Sequence, residues 1–153
     1  MPDNNKLMID SIDKPLIQLL GGDALQSSEV LAKQLNVSAA TVRRRIRRLI
    51  KDGTLRIVAV VDPNKVGLPL AALLALDVPY EQLDMVTDAL AEHPDVKWVS
   101  TTTGRFNIMA MVRSSSTDDL ATFMQKELPR LEGVKNSETL ICLRVKKGQY
   151  IRI

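Results

Sequence analysis

Apolar residues recur along the first fifty positions with the spacing of short helices. Ile9, Ile12, Leu16, Ile17, Leu19 and Leu20 predict a first helix, capped by Asp13, with Pro15 in its first turn and Gly21-Gly22 at its end. Ser27-Ser28-Glu29 opens a second helix with Val30, Leu31 and Leu35 inward, and Asn36 closes it because asparagine tolerates left-handed backbone. Ser38 caps a third. The run "TLRIVAVVD" (Thr54 to Asp62) is rich in β-branched residues and predicts a strand. Three short helices, the last two joined by a tight turn, followed by a β-ribbon give a winged helix-turn-helix over residues 1–61.

"DPNKVGLP" (Asp62 to Pro69) packs Pro, Asn and Gly together and predicts a linker over 62–69. Beyond it the pattern changes. Leu70 to Leu76 is uniformly apolar and fits a strand buried on both faces. Glu81 to Glu92 puts Leu83, Val86, Ala89 and Leu90 on one helical face, ended by His93-Pro94. Val96 to Thr103 and Asn107 to Val112 read as two strands turning at Gly104. Thr117-Asp118 caps a helix with Leu120, Phe123, Met124 and Leu128 inward, and Gly133 to Val145 holds a last strand. The order β-α-β-β-α-β predicts a ferredoxin-like domain over 70–153, so the fold class is α+β. Its sheet has one face without helices. Val96, Trp98 and Ile108 or Ala110 on one side of the middle strands, and Val99, Met109 and Met111 on the other, leave that face apolar whichever way it turns. A second copy of the chain would cover it.

Composition changes this picture little: 45% hydrophobic and 25% charged is ordinary for a folded domain. One Cys and one His cannot form an internal disulfide or a zinc site of the usual ligands. No cofactor or metal is expected. Met1 to Lys6 are polar and no apolar signal core follows, and no apolar run approaches a membrane span, so a cytoplasmic location without membrane contact is expected.

Charge changes it more. Between Arg43 and Arg56 lie seven Lys or Arg and one Asp, whereas residues 1–42 and 57–153 are each slightly acidic. The net charge of +3 therefore sits in one stretch, which points to a polyanionic partner. On a wheel of about 100° per residue, Val42, Ile46, Leu49 and Ile50 share one face and the cations run round the other from about 100° to 300°. The run holds five Arg with no acid within a turn until Asp52. A merely solvated helix interleaves Glu to form i,i+4 pairs, so these cations are expected to meet double-stranded DNA. Ala40, Thr41, Arg43 and Arg44, beside the capping Ser38, would approach base edges. Arg47, Arg48 and Lys51, with Arg56 at the wing, would meet phosphates.

Over nearly its whole length the chain resembles the Lrp/AsnC family of feast/famine transcriptional regulators. "NVSAATVRRRIRRLIKDGTLR" resembles that family's reading-head pattern at Val37, Ser38, Val42, Arg45, Ile46, Leu49, Gly53 and Leu55. "VDPNKVG" resembles its link after the wing, "TTTGRFNIMAMV" its Thr-Gly-x-Tyr-Asp strand-turn-strand, and "GVKNSETLICL" its last strand entry. The resemblance implies a second domain of the type that binds an amino acid or a related small molecule at contacts between dimers. Carried onto this chain, it implies an effector site of Thr101, Thr102, Thr103, Gly104, Arg105, Phe106 and Asn107, with Ser137 and Thr139. Asn107 stands where the family usually has Asp, and Phe106 where it has Tyr. Assembly as a dimer, and further into octamers or larger rings, is implied too. Two alternatives stay open: a tetrapyrrole decarboxylase of related fold, using Arg105, Arg113 and His93, and an assembly protein without DNA affinity.

Overall fold

The computed structural model describes residues 9–148 and Ile151. The chain forms two compact units, Met1–Val58 and Ala59–Ile153.

In the first unit α1 spans Asp13–Gly22, α2 Ser28–Leu35 and α3 Ala39–Lys51. Ser27 and Ser38 cap α2 and α3, each accepting the N–H three residues on. Asn36 takes a left-handed φ of 53° between them, which makes the turn tight. Leu16, Leu20, Leu31, Ala32, Val42 and Leu49 form the core. Fully burying each leucine or valine contributes about 1.5–3 kcal/mol. Val30 and Ile50, expected inside, are exposed, because the buried side of each helix is rotated toward Ala32 and Arg45 respectively. Asp13 does not cap α1. Asp10 takes that role, its Oδ1 accepting the N–H of Ile12 and of Asp13, while Asp13 turns inward.

The strand expected over Thr54 to Asp62 does not form as such. Among the described residues Val61 alone bridges, to Ile151, while Ile57, Val58 and Val60 are exposed. β-branched residues favour a pleated surface, but a strand needs a neighbour to pair with. The segment predicted as linker contains a 3-10 turn, Pro63–Val66, capped by Asp62.

In the second unit β1 (Leu70–Asp77), β2 (Val96–Thr101), β3 (Ile108–Ser114) and β4 (Asn136–Ile141) form one antiparallel sheet of order β2-β3-β1-β4. This is the ferredoxin-like order. Helices α4 (Leu83–Glu92) and α5 (Thr117–Thr122) supply Val86, Leu90 and Leu120 to a core with Leu74, Leu76 and Ala110. Ala89 is exposed, and Ser116 rather than Thr117 caps α5. β2 carries a bulge between Val96 and Trp98. The extra residue breaks the alternation, so Val96 and Val99 pack on the helix side while Trp98 is half exposed. The pairing register then aligns Trp98, Met111, Leu73 and Leu140 in one row across the sheet. Among the described residues no helix is long and apolar enough to cross a membrane.

Candidate functional site

α3 presents two unlike sides. Val42 and Leu49 are buried. Diametrically opposite, Ala40, Arg44, Arg47 and Lys51 lie within a strip about 60° wide and are all exposed. Among the described residues none of those three cations is in an ion pair. At the start of the strip, the Ser38 hydroxyl accepts the N–H of Thr41 at 3.1 Å and lies 2.9 Å from Thr41 Oγ1. Arg56, beyond the helix end, is exposed.

The flanks of this strip differ from the expectation of unpaired arginines. Arg43 meets Glu29 of α2 at 3.0 Å, with both side chains exposed. Such a pair contributes about 0.2–1 kcal/mol, so an incoming phosphate can replace it. Arg45 points inward. Its Nη1 donates to Asp10 Oδ2 at 2.5 Å and to Asp13 Oδ1 at 2.8 Å, and Arg48 donates to the other Asp13 oxygen. The Asp13 side chain is wholly buried. The cations thus do not form one continuous outer face. The buried sector of α3 reaches past Leu49 to Arg45, and the free strip is narrower and centred directly opposite. Asp10, Asp13 and Glu29, which a pattern of cations does not single out, fix where α3 sits and which of its arginines are engaged within the fold.

The Asp10 carboxyl is held down to about 2 from its ordinary 3.8, by its hydrogen bond to Arg45 first and the N–H of Asp13 next. Burial alone would raise Asp13. The N–H of Asp10 and the guanidinium groups of Arg45 and Arg48 outweigh it, and the net shift is downward.

In the second unit, the turn joining β2 to β3 holds most of the residues implied as an effector site. Gly104 has φ of 111°, closed to residues with a Cβ. The Thr102 hydroxyl donates to the Phe106 carbonyl at 2.8 Å, and the Thr102 N–H to that of Asn107 at 2.9 Å. Thr101, Thr103, Gly104 and Arg105 are exposed, with the Arg105 guanidinium 4.9 Å from the centre of the Phe106 ring. Asn107 does not face outward as a ligand contact would. It is buried, its Oδ1 accepting the Val78 N–H at 3.0 Å and its Nδ2 donating to the Val78 carbonyl at 2.6 Å. Ser137 and Thr139 sit on β4. Pairing places Thr101, Ile108, Leu76 and Ser137 on one row, so Thr101 and Ser137 are level but three strand spacings apart, about 14 Å. Within one chain they do not close around one small molecule.

The Asn107 clamp makes a testable difference. Asn107→Asp keeps the acceptor for the Val78 N–H but sets a carboxylate against the Val78 carbonyl. A loss of about 1–3 kcal/mol is expected at neutral pH. The buried acid's own affinity for a proton is raised, so protonation restores the donor and the deficit shrinks as pH falls. Urea unfolding of this unit, followed at neutral pH and near pH 5 by Trp98 emission, measures both. An unchanged midpoint at neutral pH would show that the clamp carries nothing.

His93 is half-buried, with Nδ1 accepting the Asp95 N–H at 3.2 Å and the ring edge-on to Phe123. Arg113 is buried rather than solvated.

A model of the AsnC-type helix-turn-helix domain matches residues 9–50, and a model of the Lrp/AsnC ligand binding domain matches residues 72–151. An uncharacterized HTH-type transcriptional regulator of Pyrococcus horikoshii is 31% identical over 154 residues, spanning 100% of this chain and 98% of its own length. Among solved structures, AsnC of E. coli superposes with a TM-score of 0.83 at 23% identity, over 91% of this chain and 95% of its own. A transcriptional regulator of Neisseria meningitidis in complex with L-Met gives 0.83 at 18% identity, over 92% and 93%.

Proposed function

The chain belongs to the Lrp/AsnC family of DNA-binding transcriptional regulators, and on that premise we propose how its residues divide the work. The observation that carries the reading is the strip of exposed cations on α3, opposite that helix's buried side, which among the described residues are in no ion pair. Residues 1–61 read DNA, 62–69 link, and 70–153 sense and assemble. Ala40, Thr41, Arg43 and Arg44, nearest the start of α3, approach base edges in the major groove. Arg47, Arg48, Lys51 and Arg56 meet phosphates, and Ser38, whose hydroxyl hydrogen is free when Thr41 donates to it, meets one too. Two copies join through the open face of the sheet, where the row from Trp98 to Leu140 is apolar and both its ends are half exposed, and dimers assemble further.

The effector is an amino acid or a related small molecule, held between dimers at the turn 101–107, with Ser137 and Thr139 of β4 completing the site. Assembly supports this arrangement, since the two groups of residues are too far apart to meet within one chain. The turn carries the cation Arg105 and no acid, so it suits the carboxylate end of the ligand, while Asn107 shapes the turn from behind.

Titration of a labelled duplex across a salt series tests the DNA reading. With four to six phosphates met, a log-log slope of about −4 to −5 per protomer is expected. A flat response to salt would remove the proposal.

A further inference from the structure

The β2–β3 hairpin turns at 101–107. Its opposite end, where Asp95 leads into β2 and β3 stops at Ser114, lies about 20 Å away along the strands. The Arg113 N–H donates to the Asp95 carbonyl at 2.9 Å and closes this end. Beside it is a cavity of about 400 Å³, a volume within the range of small-molecule sites. The cavity is on the helix side of the sheet. Ser114 in its wall follows Ala110 and Val112 of the core at the strand's period of two, and Phe123, just after α5, is buried in that core. It is therefore neither on the open face nor at the turn, the two places where copies of the chain meet.

The wall is acidic. Asp95, Asp119 and Glu127 line it, and no Lys or Arg does. Glu127 pairs with the exposed Arg130, and Asp119 accepts the Ser115 hydroxyl. The Asp95 carboxylate is in no ion pair among the described residues. Acids at a surface are ordinarily just solvated, but Ser114 sets this group apart. It is 5% exposed, and its hydroxyl has no hydrogen-bond partner among the described residues. The partnerless side-chain atoms sealed inside the protein are Arg45 Nε, Gln82 Oε1 and Arg113 Nε. The Ser114 oxygen is not one of them, so it opens into the cavity it lines. A buried hydroxyl normally has a partner, and this one can accept an N–H. Leu68 and Phe123 add apolar wall. No three acids, His or Cys among the described residues are grouped to hold a metal ion, so the cation that suits this wall is organic.

We infer that the cavity binds a small organic amine that carries no carboxylate. The ammonium meets the Asp95 carboxylate and the Ser114 hydroxyl, Asp119 adds to the negative field, and the apolar body lies against Leu68 and Phe123. An amino acid is excluded because its own carboxylate would face three acids with no cation among them. Nothing in this depends on the effector reading of the turn.

His93 lines the same cavity and is the chain's one histidine, so its ring-proton NMR signals report on it. The probe is 3-methylbutylamine added to the full chain at constant pH and ionic strength, with 3-methylbutan-1-ol and 3-methylbutanoate as comparisons. A saturable shift with a Kd on the order of 1 mM is expected for the amine. The alcohol and the acid are expected to bind at least tenfold more weakly. Asp95→Asn is expected to weaken the amine at least fivefold, and Ser114→Ala about threefold. The hydrogen bonds that Asp95 makes at the hairpin end come from its backbone, so Asp95→Asn leaves them in place and tests the charge even where Ser114→Ala disturbs the core. No saturable shift, equal responses to amine and alcohol, or a parent-like titration in Asp95→Asn would each overturn the assignment.

Discussion

Asp13→Ala is expected to remove about 3–5 kcal/mol from the first unit, enough to unfold it at room temperature. The side chain is wholly buried and holds Arg45 and Arg48 together. Without it Arg45, itself only 15% exposed, keeps Asp10 as its one remaining partner. The loss exceeds that of a surface pair because a buried guanidinium is left partly uncompensated. A unit this short, whose buried core is six aliphatic side chains, has little in reserve. The measurement is denaturant unfolding followed by far-ultraviolet circular dichroism, since Trp98 lies in the other unit and does not report this one. The parent should show the same dependence on acid. Both carboxyls are held below their ordinary value, so the stability they contribute is complete above about pH 4 and is lost as pH falls from there through about 2, where Asp10 titrates. In Asp13→Ala the step is expected to flatten. A loss under about 1 kcal/mol, with the acid step intact, would mean that the pairs are incidental to stability.

That cluster also shows what the sequence could and could not convey. Local signals were legible. Ser38 before a helical period, Asn36 at a helix end and the apolar run Leu70 to Leu76 each encode their conformation within a few residues, and each takes it. So were the order of strands and helices in the second unit and the concentration of charge on α3. What was not legible depended on residues far apart in the chain. A helical wheel ranks residues by type and assigns every Arg to solvent. It cannot register that Asp10 and Asp13, more than thirty positions earlier, turn Arg45 inward. The acidic balance of residues 1–42, next to so basic a helix, was the available hint, along with the three-residue spacing of Asp10 and Asp13. The bulge at Lys97 changes which side of the sheet Trp98 faces, and the alternating pattern carries no mark of it. Asn107 bonds a backbone 29 positions away, so its departure from the family's usual Asp reads as altered ligand chemistry until the Val78 clamp is seen. Thr54 to Asp62 has the composition of a strand but, apart from Val61, no partner within the described residues.

Neutralising Arg44, Arg47 and Lys51 together should weaken duplex binding by two to three orders of magnitude while leaving the fold intact. Each is exposed and, among the described residues, in no ion pair, so substitution leaves no buried charge behind. The two lost phosphate contacts, of Arg47 and Lys51, should make the log-log salt slope less negative by about 1.8 per protomer, which at moderate salt is about thirtyfold in affinity. Arg44 adds to this if it pairs with a base, where a bidentate contact discriminates by about 1–3 kcal/mol. The single variants separate the roles. Arg44→Ala should reduce the preference for a selected site over random duplex, whereas Lys51→Ala should weaken both alike. Arg43→Ala is expected to have a smaller effect than either, because that side chain gives up Glu29 when it meets DNA and its net gain is the difference between two partners. Equal losses from Arg43, Arg44 and Lys51 would mean that α3 acts as an undifferentiated positive rod, and the ion pairs with α1 and α2 would then have no part in selecting which cations read DNA.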